Sequence, residues 1–128
     1  MKITISPKSN VSALTMSELV LVIVIVGIMV ALGVPQYDNV LRNAQQKQAR
    51  LNLDFIKNAQ STYFDENNSY YPSSGTVDLA AINTNLKLSI TAHDLTYSCT
   101  AAVGDYSCQA TDGAWTCTAT KSTSPTCT

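Results

Sequence analysis

SALTMSELVLVIVIVGIMVALGVPQY, residues 12–37, decides how the rest of this chain is read. From Leu19 to Val34 sixteen residues follow one another without a charged or hydrogen-bonding side chain, and Glu18 stands directly before them. Leu14 to Val34 spans 21 residues, and about 20 helical residues are needed to cross the hydrocarbon core of a bilayer. Lys2 and Lys8 precede the run, and the first acidic residue after it is Asp38. The positive-inside rule therefore places the N-terminus in the cytoplasm and the remainder outside. A carboxylate held in hydrocarbon costs on the order of a few kcal/mol, so Glu18 requires a reason.

A plain signal anchor supplies none. Nor does a secretory signal peptide cut at the small residues Ala31-Leu32-Gly33, whose apolar stretch would exceed the usual h-region of about 7–15 residues.

Outside this run the chain is polar. It has 128 residues, enough for one modest domain, and much of its 45 % hydrophobic content lies in the segment just quoted. Eight basic side chains face nine acidic ones, so there is no basic field and no nucleic-acid partner is expected. His93 is the single histidine, which leaves a His-based metal site or a Ser-His-Asp triad little to draw on. Asp94 beside it is the one local acid–base pairing, and adjacent side chains point apart; no enzyme activity and no cofactor are expected. Asp65-Glu66-Asn67-Asn68 lacks the ligand spacing of a calcium loop, so no metal is expected either.

Cys99, Cys108, Cys117 and Cys127 all lie in the last thirty residues. Their even number, near-regular spacing and lack of neighbouring His favour disulfides over zinc. Disulfides persist in oxidising compartments, which puts this end of the chain outside the cytoplasm. The runs Leu95–Cys99, Tyr106–Ala110 and Trp115–Ala119 are β-type, separated by turn signals at Val103-Gly104-Asp105 and Asp112-Gly113. A two-residue turn at Asp112-Gly113 sets Cys108 opposite Cys117, leaving Cys99 to Cys127. A two-residue turn at Val103-Gly104 sets Cys99 opposite Cys108, leaving Cys117 to Cys127. Asp-Gly is the stronger hairpin signal, which favours the first pairing without excluding the second. Either way the disulfides staple a sheet too small to hold itself by burial alone.

Upstream, Gln36 to about Glu66 carries no Gly or Pro. Ala49, Leu53, Ile56, Gln60 and Tyr63 recur at helical spacing, which predicts a buried stripe broken by Gln60. Pro35, with Gly33 before it, is expected to bend or loosen the helix. Asp65–Ser69 ends the helix, Tyr70–Gly75 reads as a loop, and Asp78–Ile90 predicts a short helix followed by a strand. The fold class is thus α+β: a long N-terminal helix, half apolar and half globular, packed on a small antiparallel sheet with a disulfide-bonded C-terminal region.

The quoted segment resembles the N-terminus of type IV pilins and type II secretion pseudopilins. That family has a short basic leader, a small residue at the cleavage point, a mature end of the pattern F-T-L-x-E-L, and an apolar helix interrupted by A-x-P-x-Y. Leu14-Thr15-Met16-Ser17-Glu18-Leu19 takes the place of the hexad, and Pro35-x-Tyr37 that of the later motif. The chain departs from the pattern in having Ala13 for the usual Gly, Leu14 for Phe, and Ser17 at a normally apolar position.

The resemblance implies a leader of residues 1–13, a membrane and filament-core helix half over 14–35, an amphipathic half over 36–67, an αβ-loop over 68–93 and a sheet with the disulfide region over 94–128. It further implies that a prepilin peptidase/methylase cuts between Ala13 and Leu14 and N-methylates Leu14. The new Leu14 amine then pairs with Glu18 of a neighbouring subunit, and Pro35 shapes the packed helix. The partners implied are the inner membrane before assembly, the pilus assembly machinery, and like or mixed pilins in an extracellular filament on a bacterial surface. Such filaments serve adhesion, twitching motility, DNA uptake or secretion. Pseudopilins often lack cysteines, so the Cys-rich end favours a pilus over a secretion pseudopilus; the remaining alternative is an unprocessed, signal-anchored periplasmic binding domain.

Overall fold

A computed structural model describes residues 15–128. The chain divides into two compact units, one up to Asn39 and one from Val40 to Thr128. The elements in order are α1 (Met16–Asn67), β1 (Thr76–Asp78), α2 (Leu79–Asn85), β2 (Thr96–Ala102), β3 (Asp105–Thr111), β4 (Thr116–Thr120) and β5 (Thr126–Cys127). The five strands form one antiparallel sheet in the order β1-β2-β3-β4-β5. This is the α+β architecture expected from the sequence: a long N-terminal helix packed on a small antiparallel sheet, with both disulfides in the C-terminal region.

In α1 the backbone is helical without interruption through Gly33 and Pro35, so the expected loosening does not break the element. The helix ends where Asn68 adopts a left-handed backbone (φ 54°) and its amide donates to the Phe64 carbonyl at 2.7 Å. Asn tolerates that conformation and commonly closes helices this way. Ala49, Leu53, Ile56 and Gln60 are fully buried and Tyr63 partly so, which matches the predicted stripe. Gln60 is not a flaw in it. Its amide group donates to the Tyr71 carbonyl and accepts from the Tyr71 amide at 2.9 Å, tying helix to loop through both faces of one peptide position.

The sheet alternates as a half-buried sheet must. Tyr97 and Cys99, then Tyr106, Cys108 and Ala110, then Cys117 and Ala119 point to the core. Ser98, Thr100, Ser107, Gln109, Thr118 and Thr120 line the other face. Cys and Ala at the core positions are small, so the bulk of the interior comes from Tyr97 and Tyr106 of the sheet, Leu53 and Ile56 of α1, Ile82 of α2 and Trp115. Asn52 links the layers, donating to the Tyr97 hydroxyl at 2.8 Å.

The segment 86–90 is not the predicted strand. Asp78 caps α2 by accepting from the Ala81 amide at 3.0 Å, and after the helix Lys87 turns the chain with φ 55°. The Asn83 side chain then donates to the Ile90 carbonyl at 2.8 Å and accepts from its amide at 3.1 Å. A side-chain amide thereby fills the place a neighbouring strand would take. The strand lies earlier instead: β1 pairs Thr76–Asp78 with β2.

The turn reading at Asp112-Gly113 is corrected as well. Thr111 pairs with Thr116, so four residues form the loop. Asp112 accepts from the Ala114 and Trp115 amides at 2.8 and 3.1 Å, and the Trp115 side chain is buried. Burying the indole inside the loop wins over the tighter turn. Burial pushes the Asp112 carboxyl upward, but these amides, its own amide and the nearby Arg42 charge together hold it below its ordinary value. The register moves by two residues, which keeps every side chain on its face but places Cys117 opposite Ala110. Val103-Gly104, by contrast, is a two-residue turn, and Cys99 faces Cys108 directly. The disulfides are therefore Cys99–Cys108 and Cys117–Cys127, not the pairing that the Asp-Gly signal favoured.

Candidate functional site

The start of α1 is a capping box. The Glu18 carboxylate accepts through Oε2 from the Thr15 amide at 2.9 Å and from the Thr15 hydroxyl at 3.0 Å. In return the Glu18 amide reaches the Thr15 hydroxyl at 3.4 Å, and the Ser17 hydroxyl lies 3.1 Å from it. A Thr at the cap with Glu three residues on satisfies two otherwise orphaned donors, and an acid in the first turn suits the positive end of the helix. Thr15-x-x-Glu18 was legible as this motif, and the sequence reading passed over it. Both bonds use Oε2; among the described residues Oε1 has no partner. Ala13 and Leu14, the residues assigned to cleavage and methylation, lie outside the described residues.

Beyond Glu18 the helix is long and apolar enough to cross a membrane, and none of that window is buried within the chain. The large apolar side chains from Leu19 to Val34 are each between 45 % and 70 % exposed. Val30, Gly33, Val34 and Tyr37 line a shallow, almost wholly apolar groove with Asp38 at its edge. Pro35 sits in this stretch with helical backbone. In the second unit the apolar side chains Val40, Leu41, Leu51 and Phe55 are also exposed. At 3.6 residues per turn Val40, Leu51 and Phe55 fall on the side of the helix away from Ala49, Leu53 and Ile56, and Leu41 on the flank between.

The C-terminal region closes against the helix at several points. Thr116 and Thr128 exchange backbone bonds of 3.0 and 2.9 Å, and Cys127 pairs with Cys117 across β4 and β5. The Arg50 guanidinium lies 3.2 Å from the Cys127 sulfur, and Lys57 donates to the Thr123 carbonyl at 3.1 Å. Tyr106 is almost completely buried. Burial, with the charge of Asp105 and the neighbouring Tyr70, pushes its phenol up to about 12. His93 and Asp94 are both exposed and make no hydrogen bond to each other.

The structure thus places Glu18 at a helix start with a large unburied apolar surface behind it, and joins the four cysteines in two adjacent cross-strand bridges. The chain matches no family model, no curated protein and no solved structure with which it was compared.

Proposed function

We propose that this protein is a pilin-like structural subunit that works by polymerising. The observation that carries the reading is the exposure of every large apolar side chain from Leu19 to Val34 on one helix. A surface of that extent exceeds what a soluble monomer leaves in water. Hydrocarbon covers it before assembly, and the same helix of other copies covers it afterwards. The leader of residues 1–13 is removed between Ala13 and Leu14, and the Leu14 amine, methylated, meets the Glu18 carboxylate of a neighbour. Oε1, without a partner among the described residues, gives that amine a place without breaking the cap. In a poorly screening helix bundle the pair rejects wrong registers more than it adds net stability. The disulfide-bonded sheet forms the exposed head, and Pro35 lies in the packed helix. Removing Lys2 and Lys8 with the leader leaves six basic side chains against nine acidic, which disfavours a role centred on DNA.

One observation supports a second reading. The capping box gives Glu18 a local use at a water interface, as an unprocessed signal-anchored domain would need. Filaments sheared from the native cell surface separate the two. Sheared material containing this chain, lost in Glu18→Ala while the membrane pool persists, supports the polymer; a chain confined to the membrane fraction in both supports the anchor.

A further inference from the structure

A cleft of about 350 Å³ opens between the end of α1, the loop after it and the β2–β3 turn. Its volume is at the lower end of the range for small-molecule sites. One wall is aromatic and rigid. The Phe64 ring stacks on Tyr70 with centroids 4.7 Å apart and planes 26° apart, and Tyr70 leans on Tyr106 at 5.2 Å. Tyr106 is 2 % exposed and belongs to the core, while Phe64 remains 36 % exposed at the end of the series. Core packing is thereby relayed through three rings to an accessible platform, whose orientation costs nothing further on binding.

The remaining lining mixes apolar Pro72, Ala102 and Val103 with polar side chains that are uncommitted. Among the described residues the side chains of Asn68, Ser69 and Ser73 make no hydrogen bond. Asp105 spends one oxygen on the amides of Tyr106 and Lys121, at 2.7 and 3.0 Å, and the other has no partner among the described residues. Among the described residues no cationic side chain lines the cleft; the Lys121 ammonium is held 5.3 Å from the centroid of the Tyr70 ring. An anion would meet Asp105 without a counter-charge. A purely apolar ligand would strip water from these polar groups and return no hydrogen bond. A pyranose satisfies both requirements: its C–H face packs on the negative face of an aromatic ring, and its rim hydroxyls donate to a carboxylate and exchange bonds with amides and hydroxyls.

We propose that this cleft binds a neutral sugar residue, with Phe64 as the stacking platform and Asn68, Ser73 and Asp105 contacting the ring hydroxyls. The site is independent of polymerisation. Saturation-transfer NMR on the full chain, in a detergent without a sugar headgroup, tests it with the methyl glycosides of glucose, galactose, mannose and N-acetylglucosamine. Sialic acid and cyclohexanol serve as the acidic and apolar comparisons. At least one neutral glycoside is expected to bind in the millimolar range, with transfer concentrated on one face of the ring. Phe64→Ala weakens that binding about tenfold, whereas Phe64→Tyr preserves it. Asp105→Asn keeps an oxygen for the two backbone amides but turns the free acceptor into a donor, and weakens binding with the circular dichroism unchanged. The proposal is overturned if none of the four glycosides binds, if sialic acid or cyclohexanol binds as well as the best of them, or if Phe64→Ala binds like the parent.

Discussion

Replacing Gln60 by methionine isolates a single feature of the helix–loop junction. Met matches Gln in length and packs well in apolar surroundings, so the substitution removes two hydrogen bonds without opening a cavity. The Tyr71 amide and carbonyl lose the partners they have in the fully buried Gln60 side chain. Each backbone group left unsatisfied costs about 1–3 kcal/mol. Tyr71 is only half-buried, so the lower part of that range applies and the total is about 3 kcal/mol. For a unit the size of Val40–Thr128, one kcal/mol moves the midpoint by roughly 4–8 °C, and a fall of about 10–25 °C is expected. Urea and thermal unfolding of the full chain in detergent, disulfides intact, read it through the near-ultraviolet signal of buried Trp115. Gln48→Met, at an exposed position on the same helix, is the control and is expected to stay within about 0.5 kcal/mol. If Gln60→Met matches that control, the clamp on Tyr71 contributes nothing and the stripe is simply apolar.

Non-reducing peptide mapping is expected to return Cys99–Cys108 and Cys117–Cys127; a Cys108–Cys117 peptide would restore the tight Asp-Gly turn and discard the register above. Removing either bridge by a double Cys→Ser change opens a loop of 9 or 10 residues and costs about 2.5–3 kcal/mol by the chain-entropy relation. The Tyr106 phenol, raised in the fold, contributes stability that is complete below its unfolded value of about 10 and is lost as pH rises towards about 12. Alkaline denaturation shifted by Tyr106→Phe checks this, and an unaltered profile contradicts it. Asp112 works in the opposite sense: its carboxyl is depressed, so its contribution holds above the unfolded value and fades as pH falls through the lower folded one. Asp112→Ala is expected to flatten that acid limb.

Long periodic features were the most legible. The run from Leu19 to Val34 and the stripe through Ala49, Leu53 and Ile56 declare themselves by composition and spacing. Three of the five strands fall where β-type residues lie between turn signals. What escaped depends on tertiary competition. β1 and β5 are three and two residues long, too short for any period, and exist because β2 and β4 offer open edges. Leu86, Leu88 and Ile90 alternate as a strand does, yet the Asn83 amide captures Ile90 first. Asp112-Gly113 carries a strong local turn preference, which yields to the buried Trp115 ring four residues after Thr111. Of the site, Glu18 stands out in the sequence as an anomaly, whereas its capping of Thr15 rests on a four-residue motif at the very edge of the apolar run. The cleft beside Phe64 joins segments some forty residues apart, and no local pattern announces it.

The most direct test of polymerisation after processing is the intact mass and N-terminal sequence of the protein from its native membrane, without reduction. A chain that begins at Leu14, one methyl group heavier and lacking the four thiol hydrogens of Cys99, Cys108, Cys117 and Cys127, is the expected result. A chain that still begins at Met1 leaves Glu18 without a neighbour's amine and makes the protein a signal anchor. One that begins after Gly33 has lost the apolar helix and with it the means of assembly.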